Sequence, residues 1–178
     1  NYSASSTSKF VSSLGSSLNV LGDVQLNDST LEITNEIDGE TVYITSKGTT
    51  NNIITSNNTI SGNFSKVETS ELLNADITNS SDSINATLSR KNVADYVSNS
   101  ELSDSMRNNV AQNIETAFTS LDNQLESGTA GDVASFTKSA SQLQTLALPT
   151  ASAVLDSLSG QIYASAQALT FQHSQTIN

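Results

Sequence analysis

The spacing of apolar residues changes once along the chain. Leu18 with Val20, Val24 with Leu26, Leu31 with Ile33, Val42 with Ile44, and the trio Ile84, Ala86 and Leu88 recur at every second position. On an extended strand that period sends alternate side chains to opposite faces. Turn-forming steps separate the pairs: Gly22-Asp23, Asn27-Asp28, Asp38-Gly39, Lys47-Gly48 and Ser61-Gly62-Asn63, residues that tolerate left-handed backbone or bond to their own main chain. The pattern predicts many short strands between Leu14 and about Ser89. With long Ser/Thr/Asn tracts between them, it favours a stacked β-solenoid over a sandwich or barrel, although no fixed repeat length is visible.

Beyond about Asn92 the period becomes helical. Leu102, Met106, Val110, Ile114, Ala117, Leu121 and Leu125 step by three or four, which lines one side of a continuous helix. Ser100 or Ser103 is placed to cap its start, and Gly128 to end it. A second helix is expected from Asp132 as N-cap through Val133, Phe136, Ala140, Leu143 and Leu146, stopping before Pro149. A third begins near Thr150 with Val154, Leu158, Ile162, Ala166 and Leu169 on one side and Ser159, Gly160, Ala164, Ser165 and Ala168 elsewhere, a helix thin enough for close packing. The predicted fold class is α+β: rungs of a short-stranded β-solenoid over residues 1–90, then a bundle of about three antiparallel helices over residues 91–178. The boundary falls at Arg90-Lys91-Asn92.

Composition narrows the function. Hydrophobic residues make up 35% of the 178 positions but aromatics only 5%, so the core is lean, and with no cysteine there is no disulfide or thiolate site. A net charge of −11 arises from only 14% charged residues. Ser, Thr, Asn and Gln must therefore cover most of the surface, as they do on extracellular bacterial repeat proteins. Seven Lys and Arg residues are too few for a nucleic-acid surface. No run approaches the roughly 20 apolar residues that a membrane-spanning helix needs. A start at Asn1-Tyr2-Ser3 without Met, and an end on an unbroken helical pattern at Asn178, suggest a piece of something larger.

Candidate chemistry is sparse. His173 is the only histidine, so any histidine-based triad or general base would have to pass through it; no G-x-S-x-G, H-E-x-x-H or P-loop pattern accompanies it, and it is read as an ordinary helix residue. Asp76 with Asp82, or Glu36 with Asp38 and Glu40, offer oxygen ligands without calcium-loop spacing, and are read as solvated acidic loops. Asn27, Asn57, Asn63, Asn79 and Asn85 begin Asn-x-Ser/Thr triplets, which a chain of this composition produces by chance. No catalytic, cofactor-binding or metal-binding residue is assigned, and no cofactor is implied.

Several segments carry a resemblance. Leu18-Asn19-Val20 with Gly22-Asp23-Val24-Gln25-Leu26 and Ser29-Thr30-Leu31, then Ile60-Ser61-Gly62-Asn63-Phe64-Ser65-Lys66-Val67, then Asn85-Ala86-Thr87-Leu88-Ser89-Arg90-Lys91-Asn92 resemble the closing β-helix rungs of type V autotransporter passengers of Gram-negative bacteria. Leu158-Ser159-Gly160-Gln161-Ile162-Tyr163-Ala164-Ser165-Ala166-Gln167 resembles the helical segment that leads into the outer-membrane barrel of that family. The likeness runs from about Leu18 to Asn178 and is greatest to the subtilisin-like serine protease autotransporters, although their Asp, His and Gly-Thr-Ser catalytic elements are missing here. It implies a non-enzymatic, autochaperone-like region at the cell surface that assists folding and translocation of an upstream passenger. Its partners would be that passenger, a downstream β-barrel and the outer-membrane assembly machinery. A surface adhesin or partner-binding module is the alternative; a hydrolase acting through His173 and a filament component rank below it.

Overall fold

A computed structural model describes residues 1–128, 134–147, 150 and 152–158. Its strands are β1 (Tyr2–Ser3), β2 (Lys9–Ser13), β3 (Leu18–Val20), β4 (Val24–Gln25), β5 (Thr30–Thr34), β6 (Glu36–Ile37), β7 (Glu40–Thr41), β8 (Thr49–Ser56), β9 (Ile60–Ser61), β10 (Lys66–Glu68), β11 (Leu73–Asn79) and β12 (Ser83–Arg90). The helices α1 (Val93–Ser98), α2 (Ser105–Glu126) and α3 (Ala134–Gln144) follow, and residues 152–158 are helical.

The expected β-solenoid is not formed. The strands fall into four separate small sheets, ordered β1-β4-β9, β10-β5-β2, β11-β12-β8-β3 and β6-β7, none of them closed. The first two are wholly parallel, with Lys9 opposite Thr30 and Thr30 opposite Lys66, and with Tyr2 opposite Val24 and Val24 opposite Ile60. Two reversals break the coiling. Asp38 and Gly39, with φ of 53° and 80°, turn the chain into the antiparallel β6–β7 hairpin. After β11 the chain folds back so that β12 runs antiparallel to both β11 and β8. Val42 and Ile44, read as a strand pair, lie in irregular chain, where Val42 exchanges hydrogen bonds with the buried Asn35 instead of with a strand.

Two apolar clusters hold the molecule together. Val24, Leu26, Leu31, Ile33, Ile53, Ile54, Ile84 and Leu88, all fully buried, centre the strand cluster; each aliphatic side chain contributes about 1.5–3 kcal/mol by leaving water. Val93, Val97, Leu102, Val110, Phe118, Leu121, Ala140 and Leu155 make the helical cluster. In α2 the cap is Asp104, whose carboxylate accepts from the Met106 and Arg107 N–H groups, not Ser100 or Ser103. Met106, placed on the apolar stripe by spacing, is half exposed, because the buried face runs through Val110, Ala111, Phe118 and Leu121. The expected cap Asp132, Val133, Pro149, His173 and the sequence from Ser159 onward lie outside the described residues.

Glycine is required at one turn more than at another. Gly48 has φ of 84°, and a Cβ there would sit 2.6 Å from the Leu88 carbonyl oxygen, whereas Gly39 at φ 80° faces open space. Gly39→Ala should cost about 1 kcal/mol, the left-handed backbone penalty alone. Gly48→Ala should cost more than about 2 kcal/mol, because that penalty and a backbone clash add. Urea unfolding of the two variants measures both, and equal losses would contradict the register of Gly48 against β12.

Candidate functional site

The inward face of β12 continues past its apolar members. Alternation buries Ile84, Ala86, Leu88 and then Arg90, so the strand that completes the sheet core delivers a guanidinium to the seam with the helices. Helix α2 meets it with Glu115 and Asp122, both buried; seven residues apart, they stand on one face two turns from each other. Arg90 Nη1 donates to Glu115 Oε1 at 2.9 Å and Oε2 at 3.0 Å, and Nε donates to Asp122 Oδ2 at 2.8 Å. The three side chains are 4%, 9% and 5% exposed.

Neighbouring groups use the remaining lone pairs. The Val93 N–H donates to Glu115 Oε2 at 2.7 Å and the Thr119 hydroxyl to Oε1 at 3.1 Å. Asp122 accepts from the Tyr43 hydroxyl at 2.8 Å and from the Ser46 N–H at 3.1 Å. Phe118 fills the gap: its ring centre lies 5.7 Å from the Arg90 guanidinium carbon and 5.4 Å from the Tyr43 ring, which meets it edge-on. Such a cation–π contact adds about 2 kcal/mol when desolvated. Two carboxylates against one guanidinium leave a negative excess, balanced here by N–H and O–H dipoles.

A second joint lies beside the first. Gln144, at the end of α3 and fully buried, accepts from the Ile44 N–H at 2.9 Å and donates to the Ile44 carbonyl at 2.7 Å. The amide thus takes the place of a neighbouring strand for one residue of irregular chain, satisfying a backbone pair that burial would otherwise orphan. At the start of α2, Arg107 holds Asp156 by two bonds of 2.7 and 2.9 Å.

Electrostatics follow the geometry. Burial opposes the charge on Arg90, but Glu115 and Asp122 outweigh it and raise its pKa. Burial, then the hydrogen bond to Asp122, pushes the Tyr43 phenol far above its ordinary value. At the surface Lys9 bridges Glu32 and Glu68 at 2.9 and 2.7 Å, and Lys66 reaches Glu68 at 2.6 Å. The two ammonium groups hold the Glu68 carboxyl down at about 2. Lys9, Glu32 and Glu68 rim a surface groove of about 730 Å³ that also includes Glu36, Glu71 and Lys91.

The residues weighed as ligands do not converge. Glu36, Asp38 and Glu40 lie along the β6–β7 hairpin, Asp76 is on β11 and Asp82 in the turn before β12. Among the described residues no three acidic or histidine side chains are placed to share a metal ion. The Arg90 joint was not foreseen. Its signal was Glu115 and Asp122 flanking the apolar stripe of α2, together with an arginine on the inward parity of β12. Comparison with models of protein families, with curated proteins and with solved structures returns no match.

The joint has nothing to offer a substrate, since its charged atoms are buried and bonded internally; what it does is hold the helices to the strands. Replacing both carboxylates and the guanidinium with apolar groups can be nearly neutral, but removing one partner leaves a buried charge uncompensated. Asp122→Ala should therefore destabilise the chain by about 3–5 kcal/mol, read as the urea midpoint, with a loss below about 1 kcal/mol contradicting the assignment. Tyr43 supplies a pH signature. Its folded pKa is raised, so its contribution is complete below the unfolded phenol value of about 10 and erodes as pH rises above it. Between pH 9 and about 11 the native chain should lose stability more steeply than Tyr43→Phe, measured by thermal melting.

Proposed function

We propose that this chain is a non-catalytic folding module: a helical cap joined to one end of a strand region, which assists folding and outer-membrane translocation of an upstream passenger of the type V autotransporter kind. The observation that carries the reading is the buried Arg90–Glu115–Asp122 joint. Charge at that seam is satisfied only when the strands and α2 are both in place, so each half completes the other. A cap that docks by directional charged hydrogen bonds sets where the strands end and in which register. The resemblance of the strand segments and of Leu158 to Gln167 to autotransporter passengers supplies the cell-surface setting and points to a protease parent; the surface rich in hydroxyl and amide groups agrees with it.

The test places Glu115→Ala with Asp122→Ala in the full-length parent and measures surface-exposed, protease-resistant passenger on intact cells. Yield should fall several-fold, as expected when a few kcal/mol of folding stability is lost. Undiminished yield would remove the folding role, and a purified chain that binds host glycans or proteins while yield is unchanged would favour the adhesin.

A further inference from the structure

The β6–β7 hairpin is the smallest sheet among the described residues. Its two strands pair only through Glu36 with Thr41 and Ile37 with Glu40, and a two-stranded hairpin on its own is marginally stable in water. The loop between them has two residues, Asp38 at φ 53° and Gly39 at φ 80°. Left-handed backbone at both positions is the type I′ geometry that joins two strands by so short a connection. Both residues are exposed, and a Cβ on Gly39 would meet nothing within 4 Å.

No other Asp or Asn in the chain is followed by glycine. At such a step the glycine nitrogen, with no side chain to shield it, can close a five-membered ring on the carboxyl carbon of the residue before it. A fold blocks that closure when it ties up the N–H or pins the carboxyl away from it, because the reacting atoms must be free to meet. Neither restraint operates here. Among the described residues the Asp38 carboxylate and the Gly39 N–H have no hydrogen-bond partner. Comparable steps elsewhere are held. The Ser29 N–H after Asp28 bonds to the Leu26 carbonyl at 3.0 Å, the Ser83 N–H after Asp82 to the Ser80 hydroxyl at 3.1 Å, and the Ser100 N–H after Asn99 to the Val97 carbonyl at 3.2 Å.

We propose that Asp38-Gly39 is a site of spontaneous covalent rearrangement, at which the main chain passes from the α-carboxyl of Asp38 to its side-chain carboxyl and the hairpin is released. The Gly39 nitrogen attacks Cγ of the protonated Asp38 carboxyl; the N–Cγ bond forms, the C–OH bond breaks, and the hydroxyl leaves as water with the amide proton. Water then adds to the α-carbonyl carbon of the succinimide and the original peptide C–N bond breaks, which leaves isoaspartate with a free α-carboxyl. One water departs and one returns, so the step needs neither oxidant nor cofactor. The main chain gains a methylene carbon, and the loop loses the adjacent left-handed pair that sets Ile37 against Glu40. Just beyond β7, Val42 donates its N–H to the Asn35 carbonyl at 2.8 Å and accepts from the Asn35 side chain at 2.7 Å; this exchange brackets the hairpin and loosens with it. Tyr43, next in the chain, stays bonded to Asp122, so the opening stops at the Arg90 joint. The site does not depend on the proposed folding function.

For the test, the purified 178-residue chain is held folded in mildly acidic buffer made with heavy-oxygen water, then digested in ordinary water. The fragment holding Asp38 should divide into two chromatographic forms, the new one carrying one heavy oxygen and accepting a methyl group from an isoaspartyl methyltransferase. Gly39→Ala, which shields the nitrogen, and Asp38→Glu, which would have to close a six-membered ring, should each slow its appearance at least about tenfold. By hydrogen exchange the rearranged chain should lose protection at Val42 while α2 keeps its own. Absence of isoaspartate at Asp38, as much of it at Asp28 or Asp82, or an undiminished rate in either folded variant would overturn the site. So would a rate in the folded chain more than about tenfold below that of a peptide copying residues 35–42, since the fold would then be protecting the loop. A Val42 amide as protected after rearrangement as before would overturn the release of the hairpin.

Discussion

A single guanidinium, delivered by a β-strand into the face of a helix, is the constraint on which this molecule is organised. Arg90 is the last inward position of β12, and its partners Glu115 and Asp122 are buried on α2. Such a group cannot be left in the interior without its counter-charges, nor can two carboxylates be left without their cation. The register of β12, the rotation of α2 and the course of the chain through Tyr43 and Ser46 are therefore specified together. Apolar packing alone would tolerate a helix turned or shifted by a residue; three charge-assisted hydrogen bonds and a phenol do not.

From that seam the rest of the architecture follows in both directions. Toward the helices, Phe118 packs between guanidinium and phenol, and Gln144 completes the main-chain pairing of Ile44. Toward the strands, the alternation that buries Arg90 is the same one that buries Leu88, Ala86 and Ile84 against the sheet core. The aliphatic cluster is complete on the inner strands β4, β5, β8 and β12 and thins at both edges, where Tyr2, Phe10 and Leu18 on one side and Ile60, Ala75 and Ile77 on the other are only partly buried.

The sequence made some of this legible. Period two at Ile84, Ala86 and Leu88 corresponds to β12, and the step of three and four from Val110 to Leu121 to α2, because both segments bury one face over a length that exceeds local noise. The strands β2, β8 and β11 were harder to see, since Lys9–Ser13, Thr49–Ser56 and Leu73–Asn79 are largely Ser, Thr and Asn, held by pairing with neighbours more than by apolar pattern. The stacked coil that the polar tracts between strands favour fails at the two reversals, where Asp38-Gly39 and the Ser80–Asp82 turn send the chain backward. Arg90 and Gln144 were invisible as core residues, because hydropathy scores a charge or an amide as surface and only tertiary partners make either tolerable inside.

Native-state hydrogen exchange on the purified chain tests the central claim most directly, comparing wild type with Arg90→Ala under the same conditions. If the guanidinium couples the halves, the amides of α2 and those of β12 exchange in wild type with a common opening free energy, and in the variant α2 opens at lower cost than β12. A variant in which α2 and β12 still open together with undiminished protection would contradict the account, for the helices would then be held by packing that has no need of the charge.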